Sequence, residues 1–206
     1  SKLDEVAAVC RSNGSQVVVV SVDVTQPLDC ERLIQTTLEN FQVIDVLVNN
    51  AGVSMWAKFA DVTDLAIYES LIRVNYLGSV YCTYYSLPSL RENKGMIVNI
   101  SSLQGRISVP FHTGYAASKH ALQGFFDGLR FEETSVKILM VHPSWIANTQ
   151  MRQSAFAADG GPNLQRAKRH KKNDLTPAVC ARKIIIAMRR GRKALTLPGH
   201  YRILYL

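Results

Sequence analysis

The stretches MIVNISS at residues 96–102 and YAASK at residues 115–119 decide what this chain can be. The first is an apolar run of strand length that ends in two serine hydroxyls. The second places Tyr115 and Lys119 four residues apart, so that both side chains share one face of a predicted helix. The loop between them contains glycine and proline, which lets the helix begin beside the end of the strand. We therefore expect Ser102, Tyr115 and Lys119 to meet.

These three residue types suit proton transfer at a polarised oxygen. A free tyrosine titrates near pH ~10, and an ammonium beside it lowers that pKa because it favours the phenolate. Tyr115 is thus a candidate general acid or base, and Ser102 a hydrogen-bond donor to a substrate carbonyl. Structural alternatives exist for each. Tyr115 and Lys119 taken alone match a surface pair on an amphipathic helix, and Ser102 taken alone matches a turn residue at a strand end.

The rest of the chain alternates strand and helix patterns, which predicts an α/β fold: a doubly wound parallel sheet with helices on both faces. Thr25 is the predicted N-cap of the second helix, which has proline in its first turn. The predicted strands cover residues 16–22, 45–49, 96–101, 136–142 and 194–197. The predicted helices cover residues 1–11, 27–41, 113–133 and 177–190, with two more between residues 61 and 91.

Length and composition indicate one globular domain. The chain has 206 residues, of which 47% are hydrophobic and 19% charged. The four cysteines are dispersed, with no CxxC pair and no histidine at metal-ligand spacing, which excludes a disulfide framework or a zinc module. No apolar run approaches the ~20 residues of a membrane span. These features favour a reducing compartment, and we expect a cytoplasmic location.

The ordered motifs resemble the short-chain dehydrogenase/reductase family over essentially the whole chain. The resemblance implies a single Rossmann-like domain over residues 1–206 that binds NAD or NADP. It also implies hydride transfer between the nicotinamide and a carbonyl or secondary alcohol. The residues that carry it are NNAG at residues 49–52, Ser102, YAASK at residues 115–119, and the flanking Asp23, Asn75 and Pro143.

Four residues receive catalytic roles from this resemblance. Tyr115 is implied to be the general acid/base, and Lys119 to lower its pKa and bind the nicotinamide ribose. Ser102 is implied to polarise the substrate carbonyl. Asn75 matches the family asparagine that orders a water in the proton relay; without the resemblance it would be interpreted as a helix-kink residue.

The implied cofactor site combines several separate segments. Asp23 would contact the adenine, and the turn after the second predicted strand would pass beneath the adenosine ribose, where glycine permits close approach. The Ile146 backbone would meet the nicotinamide amide. Asp23 could instead cap the next helix, and Asn50 could tie adjacent strands. The full implied set is Asp23, Asn50, Ala51, Gly52, Tyr115, Lys119, Pro143, Ile146 and Asn148.

Two features of the family pattern differ here. Ser144 stands where the family has glycine and Asn148 where it has threonine, so cofactor contacts in that segment are less well defined. No glycines have the spacing of the family's opening glycine-rich turn. We therefore expect that the sequence lacks about one N-terminal βαβ unit, which leaves residues 16–22 without a partner strand and residues 45–49 at an exposed edge. NADP is favoured over NAD only by analogy with reductases of similar pattern.

Charged residues are unevenly distributed along the chain. Residues 1–150 carry 11 Lys/Arg against 14 Asp/Glu, whereas residues 151–206 carry 13 against 2. The resemblance places a substrate lid at about residues 145–175, with a basic cluster over residues 166–172. That cluster is either a solvated surface or a site for an anionic partner: a phosphate-bearing substrate, an anionic lipid or, least favoured, nucleic acid. A second basic run over residues 189–193, followed by an apolar segment, suggests peripheral membrane contact.

Two classes of function remain open at this point. The first is an oxidoreductase for a small-molecule carbonyl or alcohol, with a lipid or steroid ketone as the favoured substrate and no nucleic-acid partner. Small residues on the Tyr115 helix, among them Gly124 and Gly128, fit close helix packing, and the family resemblance implies a homo-oligomer formed through this helix and the long helix before it. The second class is a non-catalytic remnant or interaction module of the same fold, whose basic tail binds an anionic surface.

Overall fold

A four-stranded parallel sheet with the order β1-β2-β3-β4 forms the centre of the molecule. The computed structural model describes residues 1–147, 149–163 and 175–201. Every adjacent pair of strands is parallel, so the chain crosses back along a helix between strands. This arrangement confirms the predicted α/β fold. The strands are β1 (Val46–Asn49), β2 (Met96–Ile100), β3 (Lys137–Pro143) and β4 (Ala194–Leu197).

Six α-helices surround this sheet within the described part of the chain. Among these residues, no helix has both the length and the apolar content needed to cross a bilayer. The helices are α1 (Lys2–Ser12), α2 (Pro27–Phe41), α3 (Ala66–Ile72), α4 (Gly78–Glu92), α5 (Thr113–Glu132) and α6 (Pro177–Arg189). Short 3₁₀ turns occupy Phe59–Asp61, Leu103–Gly105 and Gln150–Arg152.

The N-cap predicted for α2 is wrong by one residue. Gln26 is the N-cap, and its side chain makes no capping hydrogen bond. Thr25 lies further out, where its backbone N–H donates to the Asp23 carboxylate at 2.9 Å. The start of α2 is instead set by Pro27, whose fixed φ suits the first helical turn and whose missing N–H costs nothing there.

A π-helical turn, Arg73–Leu77, joins α3 directly to α4. The two helices predicted between residues 61 and 91 therefore form one stretch with a widened turn, and only a short 3₁₀ turn precedes it. Such turns place an extra residue in the helix and often occur at functional sites. Here the turn contains Asn75, which is fully buried.

Both faces of the sheet are covered. On one face, Ile97 of β2 and Ile138 and Met140 of β3 pack with Leu122 and Phe126 of α5. On the other face, the alternate strand residues Val98, Leu139 and Val141 pack with Cys180 and Ala187 of α6. Each fully buried aliphatic or aromatic side chain stabilises the fold by about 1.5–3 kcal/mol. This two-sided core holds α5, which carries Tyr115 and Lys119, rigidly against β2 and β3.

Residues 16–22 are not the buried strand that their sequence predicts. None of the seven is buried, and none belongs to a strand. The carbonyls of Val17 and Ser21 accept hydrogen bonds from the guanidinium groups of Arg11 at 3.0 Å and Arg32 at 2.9 Å. The prediction fails because no described strand lies beside this segment to pair with it. β1 is consequently an edge strand, as expected, and its Val48 is 51% exposed.

Candidate active site

The candidate site lies at the carboxyl ends of β1, β2 and β3. The three strands run parallel in a register that aligns Asn49 with Asn99 and Asn99 with Met140, so their ends meet at one edge of the sheet. Loops over residues 50–65, 101–112 and 144–163 leave from that edge. Ligands of open α/β sheets bind at this edge, outside the ends of the strands.

A ladder of buried side chains ties these strands together just before they end. The Asn49 Nδ2 donates to the Asn99 Oδ1 at 2.9 Å and approaches the Thr83 Oγ1 at 3.3 Å. The Asn99 Nδ2 in turn lies 3.4 Å from the Met140 sulfur. The strand-tying role considered for Asn50 therefore belongs to Asn49. Asn50 itself is exposed at the edge of the sheet.

Tyr115 and Lys119 lie on the first turns of α5 and face the sheet. Tyr115 is 6% and Lys119 2% exposed, so they are not a surface pair. The Lys119 Nζ donates to the carbonyl oxygen of Ile100, the last residue of β2, at 3.0 Å and lies 5.9 Å from the centroid of the Tyr115 ring. Because α5 begins beside the end of β2, the predicted meeting of strand end and helix occurs.

Ser102 follows β2 and reaches the same place. Its Oγ accepts a hydrogen bond from the Gln104 backbone N–H at 3.1 Å, which orients the side chain. A side-chain hydrogen bond also joins Ser102 to Tyr115. Ser102 is thus both the strand-end turn residue and a direct neighbour of the Tyr115 hydroxyl.

Burial controls the ionisation of the pair. Burial raises the pKa of Tyr115, and the hydrogen bond with Ser102 opposes that rise. Burial also lowers the pKa of Lys119 to about 8. Burial dominates both shifts because loss of water disfavours the phenolate and the ammonium alike, and a role of Lys119 in lowering the pKa of Tyr115 stays a prediction. The hydroxyl of Tyr115 is therefore protonated at neutral pH.

Asn75 connects the β1 loop, which is the loop over residues 50–65 that follows β1, to α5, the helix that carries Tyr115. Its Oδ1 accepts from the Val53 N–H at 2.8 Å, and its Nδ2 donates to the Val53 carbonyl and to the Ser118 Oγ, both at 2.9 Å. Gly52 lies against this group: a Cβ there would stand 3.3 Å from the Asn75 Oδ1 and 3.6 Å from the Lys119 Nζ. Asn75 does lie in an irregular helical turn, as its interpretation as a helix-kink residue implies. Its Oδ1 and the Lys119 Nζ also border the same space next to Gly52. A water-ordering role stays a prediction.

Asp23 is exposed, at the end of residues 16–22. Its carboxylate accepts from the Thr25 N–H at 2.9 Å, and its own N–H donates to the Asp29 carboxylate at 2.8 Å. It shapes the turn before α2 and does not cap that helix, whose N-cap is Gln26. Asn50 and Ala51 are likewise exposed, and Gly52 is half-buried. These are the residues that the family resemblance assigns to the adenosine half of the cofactor.

Beyond β3, the structure describes only part of the region that is predicted to be a lid, residues 145–175. Pro143, the last residue of β3, is buried, and Ile146 forms a bridge with Leu175. Asn148 and the basic cluster over residues 166–172 lie outside the described residues. The described residues of this region are anchored to the loop after β1: the Phe156 N–H donates to the Ser54 carbonyl and the Trp56 N–H donates to the Phe156 carbonyl, both at 2.8 Å.

An aromatic group beside Tyr115 was missed by the sequence analysis. Trp56, Phe111, His112 and Trp145 come from three different loops and meet one another, and His112 contacts the Tyr115 ring. Their separation in the chain hides the cluster. The available signal was that each of these aromatic residues follows a predicted strand by no more than eleven residues, on the loops that surround a site at that edge.

The residues at the edge fit the nicotinamide half of a dinucleotide. Lys119 supplies a buried cation beside Tyr115, and the missing side chain of Gly52 leaves space next to both Asn75 and Lys119. A side chain at residue 52 would fill that space. Asp23 and Asn50 offer an exposed carboxylate and amide for the hydroxyls and base of an adenosine.

Comparison with known proteins identifies the family. The model of the short chain dehydrogenase family matches residues 1–160 of this chain. The chain belongs to the short-chain dehydrogenase/reductase family. Solved structures show the same fold. A short-chain dehydrogenase/reductase from Burkholderia phymatum, determined in complex with NAD, has a TM-score of 0.83 at 22% identity. The match covers 98% of this chain and 78% of that one.

Curated relatives extend the comparison. The 11-beta-hydroxysteroid dehydrogenase A of Arachis hypogaea is 35% identical over 210 residues, which cover 99% of this chain and 60% of the relative. The dehydrogenase/reductase SDR family member 7B of Mus musculus is 40% identical over 159 residues, covering 76% of this chain and 49% of the relative. The chain thus spans about three fifths of the length of the plant relative and about half of the mouse one.

Proposed function

We propose that this member of the short-chain dehydrogenase/reductase family is an NAD(P)-dependent oxidoreductase that interconverts a carbonyl and a secondary alcohol. The observation that carries the proposal is the single buried cluster of Ser102, Tyr115, Lys119 and Asn75 at the carboxyl edge of the sheet. The names of the relatives, which include hydroxysteroid dehydrogenases, support the same class of reaction.

The geometry favours Tyr115 as a proton donor. A bound reduced nicotinamide supplies the hydride that reaches the carbonyl carbon. Tyr115, held protonated by burial, gives its proton to the carbonyl oxygen as the alcohol forms. The Ser102 hydroxyl donates a hydrogen bond to the same oxygen and stabilises the charge that develops there. Lys119 is anchored by the Ile100 carbonyl beside the Tyr115 ring, so its charge is held in place without reorganisation.

Replacement of Tyr115 by phenylalanine tests this function. In the full chain, supplied with NADPH or NADH and a ketone, Tyr115→Phe should reduce kcat by about 10²-fold to 10⁴-fold because the proton donor is gone. Tyr84→Phe is the matched control, since Tyr84 is 71% exposed on α4. Equal turnover by Tyr115→Phe and the wild type would remove Tyr115 from its role. A folded wild type without turnover would favour the non-catalytic interaction module.

For the cofactor we propose NADP over NAD, on the analogy with similar reductases. Solved relatives of this fold were determined with either nucleotide, among them an alcohol dehydrogenase from Thermococcus sibiricus complexed with 5-hydroxy-NADP. Titration of the full chain with NADPH and NADH, monitored by nucleotide fluorescence, should give the lower Kd for NADPH. A lower Kd for NADH would reverse the choice.

We propose a lipid or steroid ketone as the substrate class. The support is the apolar character of the loops around Tyr115 and the names of the hydroxysteroid dehydrogenase relatives. Small sugars and polyols should be poor substrates, because their hydroxyls would lose water against aromatic rings without gaining partners. Higher kcat/KM for a polyol than for a steroid ketone would contradict this proposal.

We propose peripheral membrane contact through α6 and the turn that follows it. This surface has half-exposed Ile185 and Ile186 between basic side chains. No acidic residue occurs between residues 175 and 201. A cavity of about 700 Å³ between α6 and β4 is lined by Lys183, Arg190, Arg192 and Lys193 among others. Apolar side chains within a basic surface match an anionic bilayer interface.

Vesicle sedimentation tests the membrane contact. The full chain should sediment with phosphatidylserine-containing vesicles and much less with phosphatidylcholine alone. Arg190→Glu combined with Arg192→Glu should abolish the difference, whereas Lys58→Glu, an exposed charge on the β1 loop, should not. Equal binding to both vesicle types would contradict an electrostatic contact.

We further propose that this protein self-associates through α5 and the long helix before it, α4, as the family resemblance implies. Gly124 and Gly128 of α5 have nothing within 4 Å of their Cβ positions, and Phe131 at the end of the same helix is 84% exposed. A second copy would cover this apolar face. Sedimentation velocity should show a dimer or larger species that Phe131→Glu converts to monomer; a monomeric wild type would contradict the proposal.

A further inference from the structure

Four ring side chains form a connected aromatic wall, which contacts Tyr115 through His112. His112 stands at its centre, with ring-centroid distances of 4.6 Å to Trp56, 6.0 Å to Tyr115 and 6.4 Å to Trp145. Trp56 in turn stacks on Phe111 at 5.3 Å with an interplanar angle of 25°. The wall therefore extends from the β1 loop, past the candidate proton donor, to the loop after β3.

The wall is built at a cost in backbone strain. Phe111 adopts a φ of 69°, a left-handed conformation that is unfavourable for a bulky side chain and costs on the order of 1–3 kcal/mol. The Ala57 N–H holds it there by donating to the Phe111 carbonyl at 3.1 Å. Trp56 is fixed in the same way, since its N–H donates to the Phe156 carbonyl and its carbonyl accepts from the Asn163 Nδ2 at 3.4 Å. Strain of this kind is concentrated at ligand-binding sites.

One side of the wall remains open to solvent. Phe111 is 41% and Trp145 43% exposed, whereas His112 is buried behind them. The His112 Nδ1 lies 3.1 Å from the Pro110 carbonyl, which can only accept, so this nitrogen carries the proton and orients the ring. Exposed aromatic side chains that are joined through His112 to a buried candidate proton donor are typical of the lining of a small-molecule pocket with few polar groups.

We propose that this aromatic wall binds the flat ring system of a fused-ring aromatic ketone and directs its carbonyl oxygen to Tyr115. The inference rests on the proposed oxidoreductase function and, in place of a straight-chain lipid ketone, assigns it a ketone that carries an aromatic ring. Stacking between aromatic rings stabilises binding beyond simple burial of area, and a straight-chain ketone gains none of that stacking. The protein should thus prefer a ring-bearing ketone to a flexible one of equal carbon number.

Tryptophan fluorescence reports on this wall alone, because the chain contains two tryptophans, Trp56 and Trp145, and both belong to it. Titration of the full chain with 1-tetralone should quench tryptophan emission in a saturable manner. Free tryptophanamide, titrated in parallel, corrects for absorption by the ketone. 2-Decanone has the same number of carbon atoms and should displace 1-tetralone with an apparent Kd at least tenfold higher. Equal competition by the two ketones would overturn the proposal.

Phe111→Leu tests the ring rather than the apolar volume. This variant should raise the Kd for 1-tetralone about twofold to tenfold, the size expected for one lost ring–ring contact. Its Kd for 2-decanone should change by less than twofold. Phe131→Leu is the matched control, since Phe131 is exposed at the far end of α5, and it should leave both values unchanged. If both ketones weaken equally in Phe111→Leu, the wall contributes only hydrophobic area and the proposal fails.

Tyr115→Phe separates this inference from the proposed function. It should retain saturable quenching by 1-tetralone because its ring remains in place, although turnover is lost. If the wild type shows saturable, ring-selective quenching but no turnover, the aromatic wall binds ring-bearing ketones as proposed and the oxidoreductase function is wrong. If the wild type turns over ketones without preferring the ring-bearing one, the oxidoreductase function is supported and the proposed role of the aromatic wall is wrong.

Discussion

Residues 16–22 and β2 have similar sequences and opposite outcomes. QVVVVSV contains more β-branched residues than MIVNI, so propensity alone favours the first as a strand. Yet β2 is paired on both sides and its Ile97 and Val98 are completely buried, whereas none of residues 16–22 is buried or paired. A strand exists only where a neighbour accepts and donates its backbone hydrogen bonds. β propensity predicts which segments can pair, and pairing decides which of them do.

The same contrast divides the candidate site. Ser102, Tyr115 and Lys119 belong to the β2 and α5 side, where each is buried and hydrogen-bonded. Asp23 and Asn50, assigned to the adenosine half of the cofactor, lie on the side of β1 and residues 16–22 and are exposed. The arrangement of Ser102, Tyr115 and Lys119 therefore depends on the well-packed half of the molecule. The following four predictions test how much the two halves of the molecule differ in their contribution to the free energy of unfolding.

Phe126→Ala should have the largest effect on stability. Phe126 is completely buried between α5, β2 and β3, so its truncation leaves a cavity and should lower the free energy of unfolding by about 3–5 kcal/mol. Urea denaturation followed by circular dichroism measures the change. A loss below 1 kcal/mol would show that the packed half is not the source of stability.

Acid should destabilise the packed half through His142. This side chain is 1% exposed, its Nε2 lies 2.7 Å from the Gln123 Oε1, and burial together with the charge of Arg106 lowers its pKa to about 4, against the opposing charge of Asp127. The folded state therefore resists a proton that the unfolded chain takes up near pH 6.5. The stabilisation is complete above pH 6.5 and is lost as the pH falls towards 4, by on the order of 3 kcal/mol.

His142→Gln supplies the control for that pH dependence. The free energy of unfolding of the wild type should decrease more steeply between pH 6.5 and pH 4 than that of the variant. The difference isolates His142 from the carboxylates that titrate in the same range. Parallel pH profiles would show that His142 is not held neutral by the fold.

Gly95→Ala should have an intermediate effect at the boundary between the halves. A Cβ at residue 95 would lie 2.7 Å from the Asp45 carbonyl oxygen, a backbone atom just before β1, and 2.7 Å from a Leu90 methyl group. The strain should cost about 1–3 kcal/mol. Gly128→Ala on α5 has nothing within 4 Å and should instead stabilise by about 0.5–1 kcal/mol. Thermal denaturation of both variants compares them; a neutral Gly95→Ala would mean that β1 moves freely relative to β2.

Val19→Thr should have the smallest effect. Val19 is exposed and contributes to no strand, so the substitution should change the free energy of unfolding by less than about 0.5 kcal/mol in urea denaturation. This result would show that Val19 contributes much less than Phe126 to the free energy of unfolding. A loss of 2 kcal/mol or more would mean that residues 16–22 are packed or paired in solution.

The sequence alone determined the α/β class, the helix and strand positions from residue 27 onward within a few residues, and the meeting of Ser102, Tyr115 and Lys119. These follow from local periodicity and from the rule that parallel strands end at one edge, both of which can be derived from a linear pattern. The tertiary structure decided three other points. Residues 16–22 form no strand because no neighbour pairs with them. The pKa of Tyr115 is raised because burial outweighs the hydrogen bond with Ser102. The aromatic wall forms because three loops distant in sequence converge. Pairing, burial and convergence each depend on what lies nearby in space, and sequence spacing does not encode that information.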